Sequence, residues 1–203
     1  MKPLNLLAAA ICLTAVMNGA STAATLQVEV QSSSGKPLAD AVVFLESREA
    51  KALAKPLAGA EIAQVSKQFL PQVSVVTTGT SVQFPNRDTV RHHVYSFSPI
   101  KTFDLKLYTG TPANPVVFER PGIAVLGCNI HDTMAAWVVV VDTPYFGRTP
   151  SAGRVTLDNV PQGNYRLRTW HPDLPVGSPA ADQALVLNSP LQTLTLKLAG
   201  VGP

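Results

Sequence analysis

Seventeen prolines and 13 glycines are spread along 203 residues, so few segments are long enough, free of breakers, to form an extended helix. What lies between them alternates. Leu26, Val28 and Val30 are separated by polar neighbours, as are Phe103, Leu105 and Leu107, the period of a half-buried strand. Further short apolar runs fall at 41–45, 73–76, 82–84, 90–97, 116–118, 123–126, 137–141, 154–157, 165–170, 184–187 and 194–198. The stretch 46–60, rich in Ala, Lys and Glu, can make a helix of about two turns before Pro56 stops it. No period of 20 to 50 residues repeats, which excludes a solenoid. The expectation is an all-β chain. The run 137–141 is apolar on both faces and should be a central strand.

With 46% hydrophobic and 14% charged residues the chain is not disordered, and its length suits one generous domain or two small ones. Sixteen basic and 13 acidic residues are scattered without a run, which removes nucleic acid as a default partner. The first 23 residues read as a signal peptide: Lys2 is the positive start, 4–16 the apolar run, and Ala20, Ser21, Thr22, Ala23 and Ala24 the small residues a peptidase needs. The apolar run is shorter than the roughly 20 residues of a membrane anchor. Ile11 stands where a lipoprotein signal at Cys12 wants a small residue. An exported, periplasmic protein without a membrane anchor is expected, cut after Ala23 or Ala24. Cleavage also removes Cys12, Met1 and Met17, leaving one cysteine, Cys128, and one methionine, Met134, with His131 between them.

A lone thiol cannot form an internal disulfide and is a hazard in an oxidising compartment unless buried or bound. Thiolate, imidazole and thioether in one short loop suit an ion that cycles between Cu(I) and Cu(II). A second imidazole is available from the adjacent pair His92 and His93, and strand alternation alone does not choose between them. Zinc is a rival, with Asp132 in place of the thioether, and so is a plain core role for Cys128 and Met134. Asn86 and Asp88 should brace the loop before His92 through Asx hydrogen bonds, and His171 reads as a surface histidine.

Lys67-Gln68-Phe69-Leu70-Pro71, then Gly79-Thr80-Ser81-Val82-Gln83-Phe84-Pro85-Asn86-Arg87-Asp88, then His92 and Cys128-x2-His131-x2-Met134 resemble a cupredoxin. The loop spacing is similar to that of the amicyanins, and the whole order resembles exported proteins of methylamine utilisation. This resemblance, over residues 60 to 143, implies a Greek-key β-sandwich and one type 1 copper ion held by His92, Cys128, His131 and Met134. His93 then falls where cupredoxins usually carry an Asn. Outside that region, Gly35 to Val43 and Gly153 to Tyr165 resemble the carboxypeptidase-regulatory-like, transthyretin-like sandwich. The expected architecture is a cupredoxin sandwich, residues 58–143, inserted in or packed on a second small sandwich of residues 24–57 plus 144–203.

The function implied is a one-electron carrier, by the resemblance one that serves methylamine oxidation, and not an enzyme: a fully ligated ion has no open position, and four histidines are too few for multicopper chemistry. Copper delivery without electron transfer, or a structural module, is the alternative, although repeated Met or His ligands are missing. Redox partner proteins should dock briefly on a small apolar patch around His131, formed by Ile130, Thr133, Ala135 and Ala136, with weak salt dependence.

Overall fold

The computed structural model describes residues 22–202, so the signal-peptide reading falls almost wholly outside the described residues. The chain opens with β1 (Ala23–Ser32), β2 (Val42–Glu46), α1 (Arg48–Leu53), β3 (Ala60–Glu61) and the hairpin β4 (Ala63–Val65) and β5 (Gln68–Leu70). It continues with β6 (Val73–Thr77), β7 (Thr80–Gln83), β8 (His92–Ser98), β9 (Lys101–Tyr108), β10 (Val116–Phe118), β11 (Gly122–Gly127) and β12 (Ala135–Val141). The last part holds β13 (Phe146–Arg148), β14 (Arg154–Pro161), β15 (Gly163–Trp170), β16 (Ala181–Leu187) and β17 (Leu191–Leu198). The fold is all-β. Among the described residues α1 is the one α-helix, started by the Ser47 hydroxyl, which accepts the Ala50 N–H at 3.0 Å.

Strand pairing follows distance in space, not in sequence. β1 pairs in parallel with β17, from Thr25 opposite Leu191 to Ser32 opposite Leu198, and antiparallel with β14. A four-stranded sheet has the order β13-β2-β15-β16, and a five-stranded one the order β6-β12-β11-β8-β9. The sheet β10-β7-β3 faces the latter across a core.

Three cores separate these four sheets. The first is filled by Leu26, Val28 and Val30 of β1 with Val43 and Leu45 of β2 and Leu167 of β15. The second lies within the 60–141 region and contains Phe69, Phe84, Val94, Phe118, Leu126 and Val138. The third joins the two regions through Val42, Phe44, Val73, Val139, Val141 and Trp170.

Two strands serve two cores each. Along β2, Val43 and Leu45 enter the first core while Val42 and Phe44 enter the third. Along β12, Ala136, Val138 and Val140 enter the second and Val139 and Val141 the third. Side chains of a strand point alternately to opposite faces, so a strand covered on both sides must be apolar throughout. That is why 41–45 and 137–141 are unbroken apolar runs.

Candidate metal centre

Two loops and one strand end build the site. β8 carries His92, Val94 and Ser96 inward and His93, Tyr95 and Phe97 outward. A register shift against β9 lies between His92 and Val94, where His92 is opposite Tyr108 but Val94 is opposite Leu105. His92 is fully buried. His93 sits on the outer face, paired with Asp104 and with its ring 5.4 Å from that of Tyr95.

The loop before His92 is braced as the Asx reading anticipates. The Asn86 side chain accepts the Asp88 N–H at 3.0 Å and donates to the carbonyls of Val90 at 2.9 Å and Tyr108 at 2.8 Å. Asp88 does more than cap. Its carboxylate accepts the N–H groups of Ser66 at 2.6 Å and Lys67 at 2.9 Å and lies 2.7 Å from His92 Nε2. Ser66 and Lys67 form the two-residue turn of the β4–β5 hairpin, both at positive φ, 52° and 58°. Burial opposes ionisation of Asp88, but the Lys67 N–H, the His92 ring and the Ser66 N–H outweigh it and hold the carboxyl below its usual range. Sequence reasoning missed this role; the four-residue spacing of Asp88 and His92 was the available signal.

The second loop joins β11 to β12. Its turns are closed by Met134 N–H on the His131 carbonyl at 2.9 Å and Ala135 N–H on that of Thr133 at 3.1 Å. Cys128 is buried and free, and its Sγ accepts the Ile130 N–H at 3.4 Å. The His131 and His92 rings meet at 5.0 Å, tilted by 61°. One donor atom each from His92, Cys128 and His131 lies within 4.8 Å of the other two.

With Nε2 of His92 occupied by Asp88, its Nδ1 is buried with no hydrogen-bond partner among the described residues, and so is Nδ1 of His131. Two orphaned imidazole nitrogens beside a buried thiol fit a metal ion that accepts their lone pairs. Met134 is buried in the second core with Cys128. Asp132 is exposed and outside the group, and His93 is outside it too. Nearby, Tyr108 donates to the Phe84 carbonyl at 2.6 Å. Burial, offset by the Gln64 hydrogen bond and reinforced by charge at Cys128, pushes its pKa up to about 12, so the phenol stays neutral.

Two readings of single residues are corrected. His171 is not at the surface: it is 6% exposed, its Nε2 donates to the Ala39 carbonyl at 2.8 Å, and its Nδ1 accepts the Asp173 N–H at 3.1 Å. Both ring nitrogens are satisfied by backbone, which is why burial is tolerated. Ala136 is in the second core, because β12 turns it inward, and the exposed neighbours of His131 are Asn129, Ile130, Asp132 and Thr133, with Ala135 half-buried.

No protein-family model matches the chain, and no curated protein matches it. Solved structures are similar over part of it. A purple cupredoxin from Nitrosopumilus maritimus is 22% identical, over 40% of this chain and 99% of that one, with a TM-score of 0.36. Amicyanin from Paracoccus versutus is 20% identical, over 49% of this chain and 97% of that one, with a TM-score of 0.38. The Cu-containing nitrite reductase NirK from Thermus scotoductus is 25% identical, over 44% of this chain and 26% of that one, with a TM-score of 0.39. The expectation that the chain is not an enzyme is corrected by this last likeness: a nitrite reductase is among the solved structures similar to the chain, so the likeness does not exclude catalysis.

Proposed function

We propose that the chain holds one copper ion at His92, Cys128, His131 and Met134 and passes single electrons through it, outside the cytoplasm. The observation that carries this reading is the pair of buried, unpartnered Nδ1 atoms beside the Cys128 thiol. A copper ion held by two imidazoles, a thiolate and a thioether would supply a reversible one-electron couple. The chain's own part is to keep the donors in place. Asp88 fixes the His92 ring and directs Nδ1 to the group, as an outer carboxylate does in many metal sites. The Ile130 N–H supports charge on Sγ. β8, β11 and β12 fix the ends of both loops, so the donors need little rearrangement when charge changes.

Half-buried His131, with exposed Ile130, Asp132 and Thr133 beside it, gives an electron a short way out and a small contact for a redox partner that includes one carboxylate. The rate with that partner should depend weakly on salt. Purified protein loaded with Cu(II) should be intensely blue and bleach reversibly with a reductant. A colourless product with stoichiometric zinc overturns the proposal. The link to methylamine oxidation rests on sequence order alone, and normal growth on methylamine after deletion of the gene removes it.

A further inference from the structure

Between the outer face of the β8-β11-β12 sheet and the facing β2-β15 surface lies an open cleft of about 1000 Å³. Its size is at the upper end for small-molecule sites, and its lining is mainly apolar and aromatic, with few polar groups. Trp137 and Trp170 stand 6.3 Å apart in its wall, Tyr95 and Phe97 line the copper-sheet side, and Phe97 is 77% exposed. At one end the cleft reaches Gly127, Cys128 and Met134, so an occupant lies against the strand that leads into the metal centre.

One polar group in the wall is unfinished. Arg168 is 19% exposed; it donates from Nη1 to Glu46 at 3.2 Å and from Nη2 to the Ala180 carbonyl at 3.3 Å, and it sits 5.8 Å from the Phe44 ring centre. Its Nε is closed to solvent and so out of a ligand's reach, but the guanidinium carries five N–H groups and these two bonds use two of them. The side chain lines the cleft and is part-exposed, so a ligand oxygen can accept from one of the others. The Glu46 carboxylate already neutralises the guanidinium, which favours a neutral oxygen over a second anion.

We propose that this cleft binds a flat, uncharged aromatic ring system bearing carbonyl oxygens, a quinone being the simplest case, stacked among the aromatic walls with one oxygen on the Arg168 guanidinium. Binding does not depend on the copper reading and is tested on metal-free full-length protein, so either proposal can fail alone. The chain has two tryptophans, and both line the cleft, so their emission reports on it directly.

Titration with 2,3-dimethyl-1,4-naphthoquinone, whose ring has no open position for addition of the free Cys128 thiol, should quench tryptophan emission saturably. Val125→Phe or Ile123→Phe, each filling the cleft from β11, should abolish the saturable phase with the unfolding midpoint kept. Arg168→Met should weaken binding by about tenfold, the loss of one buried hydrogen bond. Linear quenching with the same slope in all four proteins overturns the proposal. Emission that shifts as the protein alone is concentrated also overturns it, by showing that a second copy fills the cleft.

Discussion

At the scale of single residues, the site depends on which way His92 and His93 point. The burial of His92, Val94 and Ser96 puts His92 on the inner face beside Cys128 and His131, whereas the sequence offered two adjacent histidines on a strand whose outer face is also aromatic. His93→Asn should leave the blue colour of the copper protein largely intact, and His92→Asn should remove it. The reverse result, read by visible absorption, sinks the assignment. Asp88→Asn should weaken copper retention by about 10- to 100-fold in a chelator competition, the usual effect of losing an outer carboxylate. Unchanged retention shows that Asp88 only braces the hairpin turn. Met134→Gln should keep copper and colour but lower the reduction potential, since a harder oxygen favours Cu(II). The thiol, the histidines and the methionine were legible because their chemistry is rare and their spacing short. Asp88 was legible only as a loop cap, because the turn at Ser66 and Lys67 that it grips is 21 to 22 residues away in sequence.

At the scale of elements, alternation exposed most strands, and the unbroken run 137–141 announced burial on both faces; the run 41–45, read only as a short apolar stretch, is covered on both faces as well. Sequence could not say what covers the second face. The answer is the other region of the chain, through Phe44 and Trp170 against Val139 and Val141. Two contacts tie elements together in ways that can be measured. Gly127 on β11 lies under the Tyr95 ring of β8, where an added Cβ meets Cζ at 2.6 Å. Gly127→Ala should therefore cost roughly 1–3 kcal/mol in denaturant unfolding, as overpacking does, and should shift the colour of the adjacent Cys128 centre. Lys51 of α1 pairs with Asp142, just after β12, at 2.8 Å. Burial works against the Asp142 charge, but Lys51 and Thr78 outweigh it and hold the carboxyl below the usual range. A lowered folded-state pKa contributes stability above the ordinary aspartate value and loses it as pH falls through the lowered one. Lys51 is 71% exposed, so Lys51→Met should lower stability only slightly near neutral pH, and the difference should vanish in acid. A difference that persists in acid shows that the Lys51 stem packs, not that its charge pairs.

At the scale of the whole molecule, we propose that residues 58–143 form one domain and residues 24–57 with 144–203 the other, docked through the third core. β1 takes both its partners, β14 and β17, from the C-terminal part. The domains should nevertheless unfold together, since separating them uncovers Trp170, Val141 and Val42 at once. Coincident transitions by tryptophan emission and far-ultraviolet dichroism are expected; two separated transitions mean that the third core contributes little. Bound copper should raise the unfolding midpoint of the whole chain, because it binds only the folded site. The central claim is the copper centre itself, and a Cu(II) titration of metal-free protein followed by visible absorption tests it most directly. Intense blue colour that saturates at one ion per chain, bleaches with reductant and is lost in Cys128→Ser is the expected result. A colourless titration, or blue colour that survives in Cys128→Ser, contradicts it.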